Sequence, residues 1–105
     1  FDARVDISLG SVPSYVAIGD LDGDGKPDLV VANLSLDNVS ILRNTATSGS
    51  ISSSSFAPPI SFATGTSPQS IAIGDLDGDG KPDLVVANSN SATVSILRNT
   101  STSGS

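Results

Sequence analysis

The chain has 105 residues and a formal net charge of −6, and it contains no Cys, His, Met, Trp or Glu. Without His, Cys or Glu it offers almost no general base or nucleophile, so we expect no enzymatic activity. Five scattered basic residues form no cluster able to neutralise a phosphate backbone, and no apolar run approaches the ~20 residues that span a bilayer. We therefore expect neither a nucleic-acid partner nor a membrane span.

The sequence is an internal duplication with an offset of 55 residues. Residues 20–33 are identical to residues 75–88, and residues 39–45 are identical to residues 94–100. We assign residues 1–55 to a first repeat and residues 56–105 to a second of the same layout: an outer strand, a hairpin, a third strand and a Ser/Thr-rich connection. A period of this length is typical of propellers and solenoids, in which one unit cannot bury its apolar face alone.

Each repeat has the pattern of β-structure. Its apolar segments are short, rich in β-branched residues and bounded by turn formers, as at residues 16–18, 29–32 and 39–42. No segment keeps a helical apolar period over two turns. The run Leu-Val-Val-Ala at residues 29–32 does not alternate, which predicts a strand buried on both faces between neighbouring sheets.

Two loops with the sequence DLDGDGKPD, residues 20–28 and 75–83, hold eight of the eleven aspartates. Their aspartates stand at positions 1, 3, 5 and 9, and this spacing turns several carboxylates and the carbonyl of position 7 toward one centre. An oxygen-only set without His or Cys favours calcium over zinc or copper, and calcium over magnesium because magnesium resists losing its water. We predict two calcium ions per chain, held by Asp20, Asp22, Asp24, Lys26 and Asp28 and by Asp75, Asp77, Asp79, Lys81 and Asp83, with each Lys contributing its carbonyl oxygen.

Two other interpretations of these loops are weaker. Asp and Gly abound in turns, but two identical copies of the full pattern are hard to explain by turn composition alone. An EF-hand would end in a bidentate Glu at position 12, and that position is Val31 or Val86 here.

The motif DLDGDGKPDLVVAN, repeated after 55 residues, resembles the FG-GAP/VCBS repeat of integrin-α-type β-propellers. The resemblance implies an all-β chain of two four-stranded antiparallel propeller-type blades, with a calcium loop joining the first two strands of each. It places the strands of the first blade at residues 14–19, 29–33, 39–43 and 56–63. The name-giving motif is degraded, because Phe62-Ala63 stands in place of Phe-Gly.

On this map each end of the chain is an unpaired strand edge: residues 1–9 are a fourth strand without a blade, and residues 94–98 are a third strand with nothing after it. Such edges seek partners. We therefore expect the blades to be completed by strand exchange with neighbouring copies, head to tail, into a ring or a filament.

These features together predict an extracellular or cell-surface structural or adhesion module that calcium stabilises. Extracellular calcium modules bind at roughly 10⁻⁴ to 10⁻³ M, which suits the calcium concentration outside cells. The alternative is a lectin-like propeller that binds a glycan or protein ligand and is cropped from a longer chain. The chain has few aromatic side chains for a sugar site, namely Tyr15, Phe1, Phe56 and Phe62.

Overall fold

Seven β-strands and no helix make up the part of the chain that the computed structural model describes, residues 3–101. The strands are β1 (Pro13–Gly19), β2 (Asp28–Asn33), β3 (Asn38–Leu42), β4 (Ile60–Ala63), β5 (Pro68–Gly74), β6 (Asp83–Asn88) and β7 (Thr93–Leu97). The all-β prediction is confirmed. Within these residues there is no helix long and apolar enough to cross a membrane.

The strands form two antiparallel sheets, the first in the order β1-β2-β3-β4 and the second in the order β5-β6-β7. β4 belongs to the second repeat by sequence, but it pairs with β3 of the first repeat, with Val39 opposite Phe62. The first sheet therefore has the four strands that were predicted for a blade. The second sheet has three within residues 3–101, and β7 pairs only with β6 there.

Some predicted strand limits need correction. The fourth strand begins at Ile60 rather than Phe56, which makes only an isolated bridge with Asn44. Pro58 and Pro59 have no N–H to donate to a ladder, so pairing starts after them. Residues 3–9, predicted as a strand, form none; residues 1 and 2 of that predicted strand lie outside the described residues.

The core lies between the two sheets. Side chains alternate along a strand, so Val30 and Ala32 of β2 point to the same face, and Leu84 and Val86 of β6 point back at them from the second sheet. The buried cluster comprises Leu21, Val30, Ala32, Val39, Ile71, Leu84 and Val86. β2 thus buries one face against the second sheet, whereas its continuous apolar run predicted a neighbouring sheet on both faces.

The other face of the first sheet, which we call its outer face, is partly covered by the chain's own N-terminal segment. Val5 and Ile7 line the same cavity as Val16, Val31 and Leu42 of this face. Val31 and Leu42 are buried there, but Val16 remains 55% exposed. The segment over residues 3–9 is thus a partial cover for an apolar sheet.

Leu84 and Leu29 occupy the same position in the two repeats but differ in burial, and this difference gives a matched test of the core. Leu84 is 4% exposed between the sheets, whereas Leu29 is half-buried on the outer face. We expect Leu84→Ala to lower the free energy of unfolding by about 2–4 kcal/mol through lost burial and a cavity. Leu29→Ala should cost clearly less in the same urea titration, and equal losses would contradict the placement of the core.

Candidate metal centre

Each aspartate loop joins the first two strands of its sheet. The first runs from the end of β1 to the start of β2, where Gly19 and Asp28 are paired across the hairpin. Gly23 and Gly25 have φ values of 75° and 84°, and Gly78 and Gly80 in the second loop have 77° and 85°. Such positive φ values are accessible to glycine at no steric cost. These glycines let the chain wrap tightly enough to turn successive carboxylates inward.

Three carboxylates converge in each loop. Asp20, Asp22 and Asp28 each offer an oxygen within 4.8 Å of the other two, and Asp75, Asp77 and Asp83 do the same. Asp24 and Asp79 are outside these trios. Asp24 accepts a hydrogen bond from the backbone N–H of Lys26 at 2.9 Å, and Asp79 accepts one from the backbone N–H of Lys81 at 2.9 Å. Ligation by Asp24, Asp79 and the two lysine carbonyls stays a prediction.

Backbone donors hold the carboxylates at the two ends of each loop. Asp20 accepts hydrogen bonds from Gly23 N–H at 2.9 Å and from Gly25 N–H at 2.8 Å. Asp28 is only 1% exposed, and it accepts bonds from Leu21 N–H at 2.9 Å and Asn44 N–H at 2.8 Å. Asp28 therefore links the start of its own loop to Asn44, which lies two residues after the end of β3. The same contacts recur around Asp83.

The two loops differ in their surroundings although their sequences are identical. The Asp22 side chain is 5% exposed and the Asp77 side chain 37%. The reason is that the end of the second repeat covers the first loop: Asn99 Nδ2 donates to the Leu21 carbonyl at 2.6 Å, and the Ser101 hydroxyl donates to the same oxygen at 3.1 Å.

Burial raises the pKa of Asp22, against a hydrogen bond from Asp24 N–H that lowers it, and the nearby charge of Asp28 raises it further. A raised pKa favours the folded state below the ordinary pKa of the carboxyl, and this contribution is lost as the pH rises through the folded value. At neutral pH the ionised Asp22 thus destabilises the fold relative to its protonated form. Its Oδ2 is fully buried and accepts no hydrogen bond, and the charged partner beside it is the guanidinium of Arg43.

Two arginines that the sequence analysis did not assign to the site lie beside the trios. Arg43 Nε is 3.0 Å from the buried Asp22 Oδ2, without the alignment of a hydrogen bond. Arg98 Nε donates to Asp77 Oδ2 at 2.6 Å, which lowers the pKa of Asp77. Both follow the third strand of their sheets, and their identical place in the two repeats was the signal that could have identified them.

The site's sequence also identifies a family. Residues 20–86, more than half of the chain, match the FG-GAP-like repeat, starting at the first aspartate of the first loop and ending within β6. The chain belongs to the FG-GAP-like repeat family. The resemblance drawn from the DLDGDGKPDLVVAN motif is thereby confirmed. No curated protein and no solved structure matches this FG-GAP-like chain.

Asp28 is expected to support the fold even without a cation. Asn in its place keeps one acceptor oxygen, but its amide group would face the N–H of Leu21 or Asn44. We therefore expect Asp28→Asn to lower the free energy of unfolding in chelator by about 1–3 kcal/mol, as for a buried donor left unpaired. The measurement is urea unfolding in excess chelator.

Asp24→Asn is the matched control, because Asp24 is only half-buried and asparagine can still accept the Lys26 N–H bond. It should leave stability in chelator unchanged. If the two variants behave alike, Asp28 has no structural role of its own.

Proposed function

We propose that each loop binds one calcium ion and that the chain is a non-enzymatic structural module stabilised by these two ions. The observation that carries the proposal is the repeated trio of carboxylates whose oxygens lie within 4.8 Å of one another. Close unit charges repel by up to ~4 kcal/mol at an effective dielectric near 20. A divalent cation bound to oxygen ligands alone removes that repulsion, and calcium accepts such a set.

Calcium in this position acts as a staple between strands. Asp20 follows β1 and Asp28 opens β2, so one ion bound to both joins the two strands at the end where the loop connects them. Through Asp28 the ion is also linked to the backbone after β3. The carboxylates are already oriented by backbone N–H groups, which supports a closed structural site rather than an open position for a substrate.

The proposed location is extracellular or at a cell surface. Calcium-stabilised modules of low affinity, roughly 10⁻⁴ to 10⁻³ M, are filled at the millimolar calcium found outside cells. The role that fits this setting is adhesive or structural.

Self-association by strand exchange completes the proposal. Residues 5–8 are the counterparts of β4, residues 60–63, at the offset of 55. β4 pairs with β3, and β7 is the counterpart of β3 with no strand on its other side within the described residues. Residues 5–8 of a second copy therefore match the missing strand of the second sheet. Repetition of this head-to-tail contact gives a ring if the rotation closes and a filament if it does not.

A second candidate function is the binding of a glycan or protein ligand. The observation that favours it is a cavity of about 510 Å³ that opens between the two sheets, lined by Ile60 and Phe62 on one side and by Leu97 and Arg98 on the other. Its volume is within the range of ligand pockets. It has a single aromatic side chain, which makes it a weaker basis than the carboxylate trios.

Chelation tests the staple. If both sites are held at tenfold excess over their dissociation constants, they contribute together about 3 kcal/mol. For a domain of this size that corresponds to a fall in melting temperature of roughly 10–20 °C in chelator. The double variant Asp20→Asn, Asp75→Asn should lose this calcium dependence, and magnesium at equal concentration should not replace it. An unchanged wild-type melting temperature in chelator would contradict the proposal that calcium stabilises the fold.

Mass measurement in calcium tests strand exchange. We expect light scattering to give an assembly of several chains in calcium and a monomer in chelator. Deletion of residues 1–9 should give a monomer in both, because it removes the exchanged strand while keeping both carboxylate loops. A monomeric full chain in calcium would refute self-association.

A further inference from the structure

The second sheet has an exposed apolar face, the one turned away from the first sheet, which we call its outer face. Val94 of β7 is 61% exposed and Ile96 is 65% exposed. Ala87 of the central strand β6 is also exposed. The repeat counterparts of Val94 and Ala87 are Val39 and Ala32, and both are fully buried where the first sheet packs on the second. Within residues 3–101, half of a packing interface thus stays uncovered.

The first sheet carries the complementary half. On its outer face Val16 is 55% exposed and Ile18 is 66% exposed. Their counterparts in the second repeat are Ile71, which is 4% exposed in the core, and Ile73, which packs against that core. The two surfaces that pack together inside the chain therefore each have a second copy. These second copies are the outer faces of the first and second sheets, which point away from each other.

Close contacts at the internal interface have unfilled counterparts as well. A Cβ atom at Gly19 would lie 3.2 Å from the Cδ1 atom of Ile73, so glycine allows the sheets to approach there. A Cβ atom at its counterpart Gly74 would have no heavy atom of residues 3–101 within 4 Å, apart from its own chain neighbours. The residue equivalent to Ile73 is Ile18, which a second copy would bring to Gly74.

A polar bond repeats this pattern. Asn99 Nδ2 donates to the Pro82 carbonyl of its own sheet at 2.9 Å and to the Leu21 carbonyl across the interface at 2.6 Å. Asn44, its counterpart, makes the bond within its own sheet, to Pro27 O at 2.7 Å. The counterpart of Leu21 is Leu76. Leu76 is 57% exposed, whereas Leu21 is 9% exposed.

We propose that the outer face of the second sheet is the docking surface for the first sheet of a second copy of this chain. In this contact Ile18 of the second copy meets Gly74, and Asn44 of the second copy donates to the Leu76 carbonyl. The inference rests on the proposed self-association and names the sheet faces that form it. Residues 3–9 of the second copy leave the outer face of their own sheet, which frees them to pair with β7.

Docking of this kind is heterologous, because two different surfaces meet, and this gives a test by complementation. We expect Val16→Asp to block the first sheet's outer face and Ala87→Asp to block that of the second sheet. Ala87 lies on the central strand, so its substitution leaves the β7 edge intact. Each variant alone should be monomeric in calcium. A one-to-one mixture should form a heterodimer of twice the monomer mass and nothing larger, because only one pair of intact faces remains.

Ile51→Asp is the matched control, since Ile51 is 72% exposed in the connection between β3 and β4 and belongs to neither sheet. It should assemble as wild type does. Heterodimer formation in the mixture also shows that both variants are folded.

The outcomes separate the two proposals. Wild type that is monomeric in calcium removes self-association and the docking surface together. Wild type that assembles, with variants that assemble equally well or a mixture that stays monomeric, removes the docking surface alone. Assembly lost in Ala87→Asp but retained in Val16→Asp indicates contact between like faces, which also overturns the proposal.

Discussion

Val30 and Val86 are fully buried because two sheets pack face to face, and this packing organises the rest of the molecule. A sheet with apolar side chains on both faces needs a neighbour on each side. Residues 3–101 supply one neighbouring sheet for each sheet and leave the other face of each without a full cover. Within these residues each sheet thus has a neighbouring sheet on one face only. The other face of the first sheet is partly covered by residues 3–9, and the other face of the second sheet is exposed.

The same packing makes two identical loops chemically different. Asp22 lies under residues 99–101 and has a raised pKa, whereas Asp77 is open to solvent beside Arg98 and has a lowered pKa. The sequence of a loop fixes which carboxylates can converge, because glycines and aspartates at set positions determine the path of the chain. The neighbouring sheet determines how much water surrounds them, and therefore how much the ionised carboxylates cost without a cation.

Sequence reasoning could predict what depends on short-range pattern. The β-branched runs indicated the strands around residues 16–18, 29–32 and 39–42. The aspartate spacing indicated the three carboxylates that meet in each loop, together with Asp24 and Asp79, which lie outside the trios. The start of β4 was predicted wrongly. The family resemblance placed this strand at residues 56–63, which include Pro58 and Pro59, whereas β4 begins at Ile60. The hydrogen bond from Asn99 to the Leu21 carbonyl joins residues that are 78 positions apart in the sequence. It depends on how the two sheets pack, and no local sequence pattern indicates it.

The proposed calcium site and the sheet packing share residues in the first repeat. Leu21 belongs both to the carboxylate loop and to the buried cluster, and its backbone N–H is bound to Asp28 while its carbonyl is bound to Asn99. An ion that fixes Asp28 thereby fixes a residue that the second sheet packs against. Because coupling between two binding equilibria is reciprocal, a neighbour that packs on Leu21 must strengthen cation binding as much as the cation strengthens the packing. Within residues 3–101, Leu76 of the second repeat has no such neighbour, so docking of a second copy and occupation of the second loop would reinforce each other.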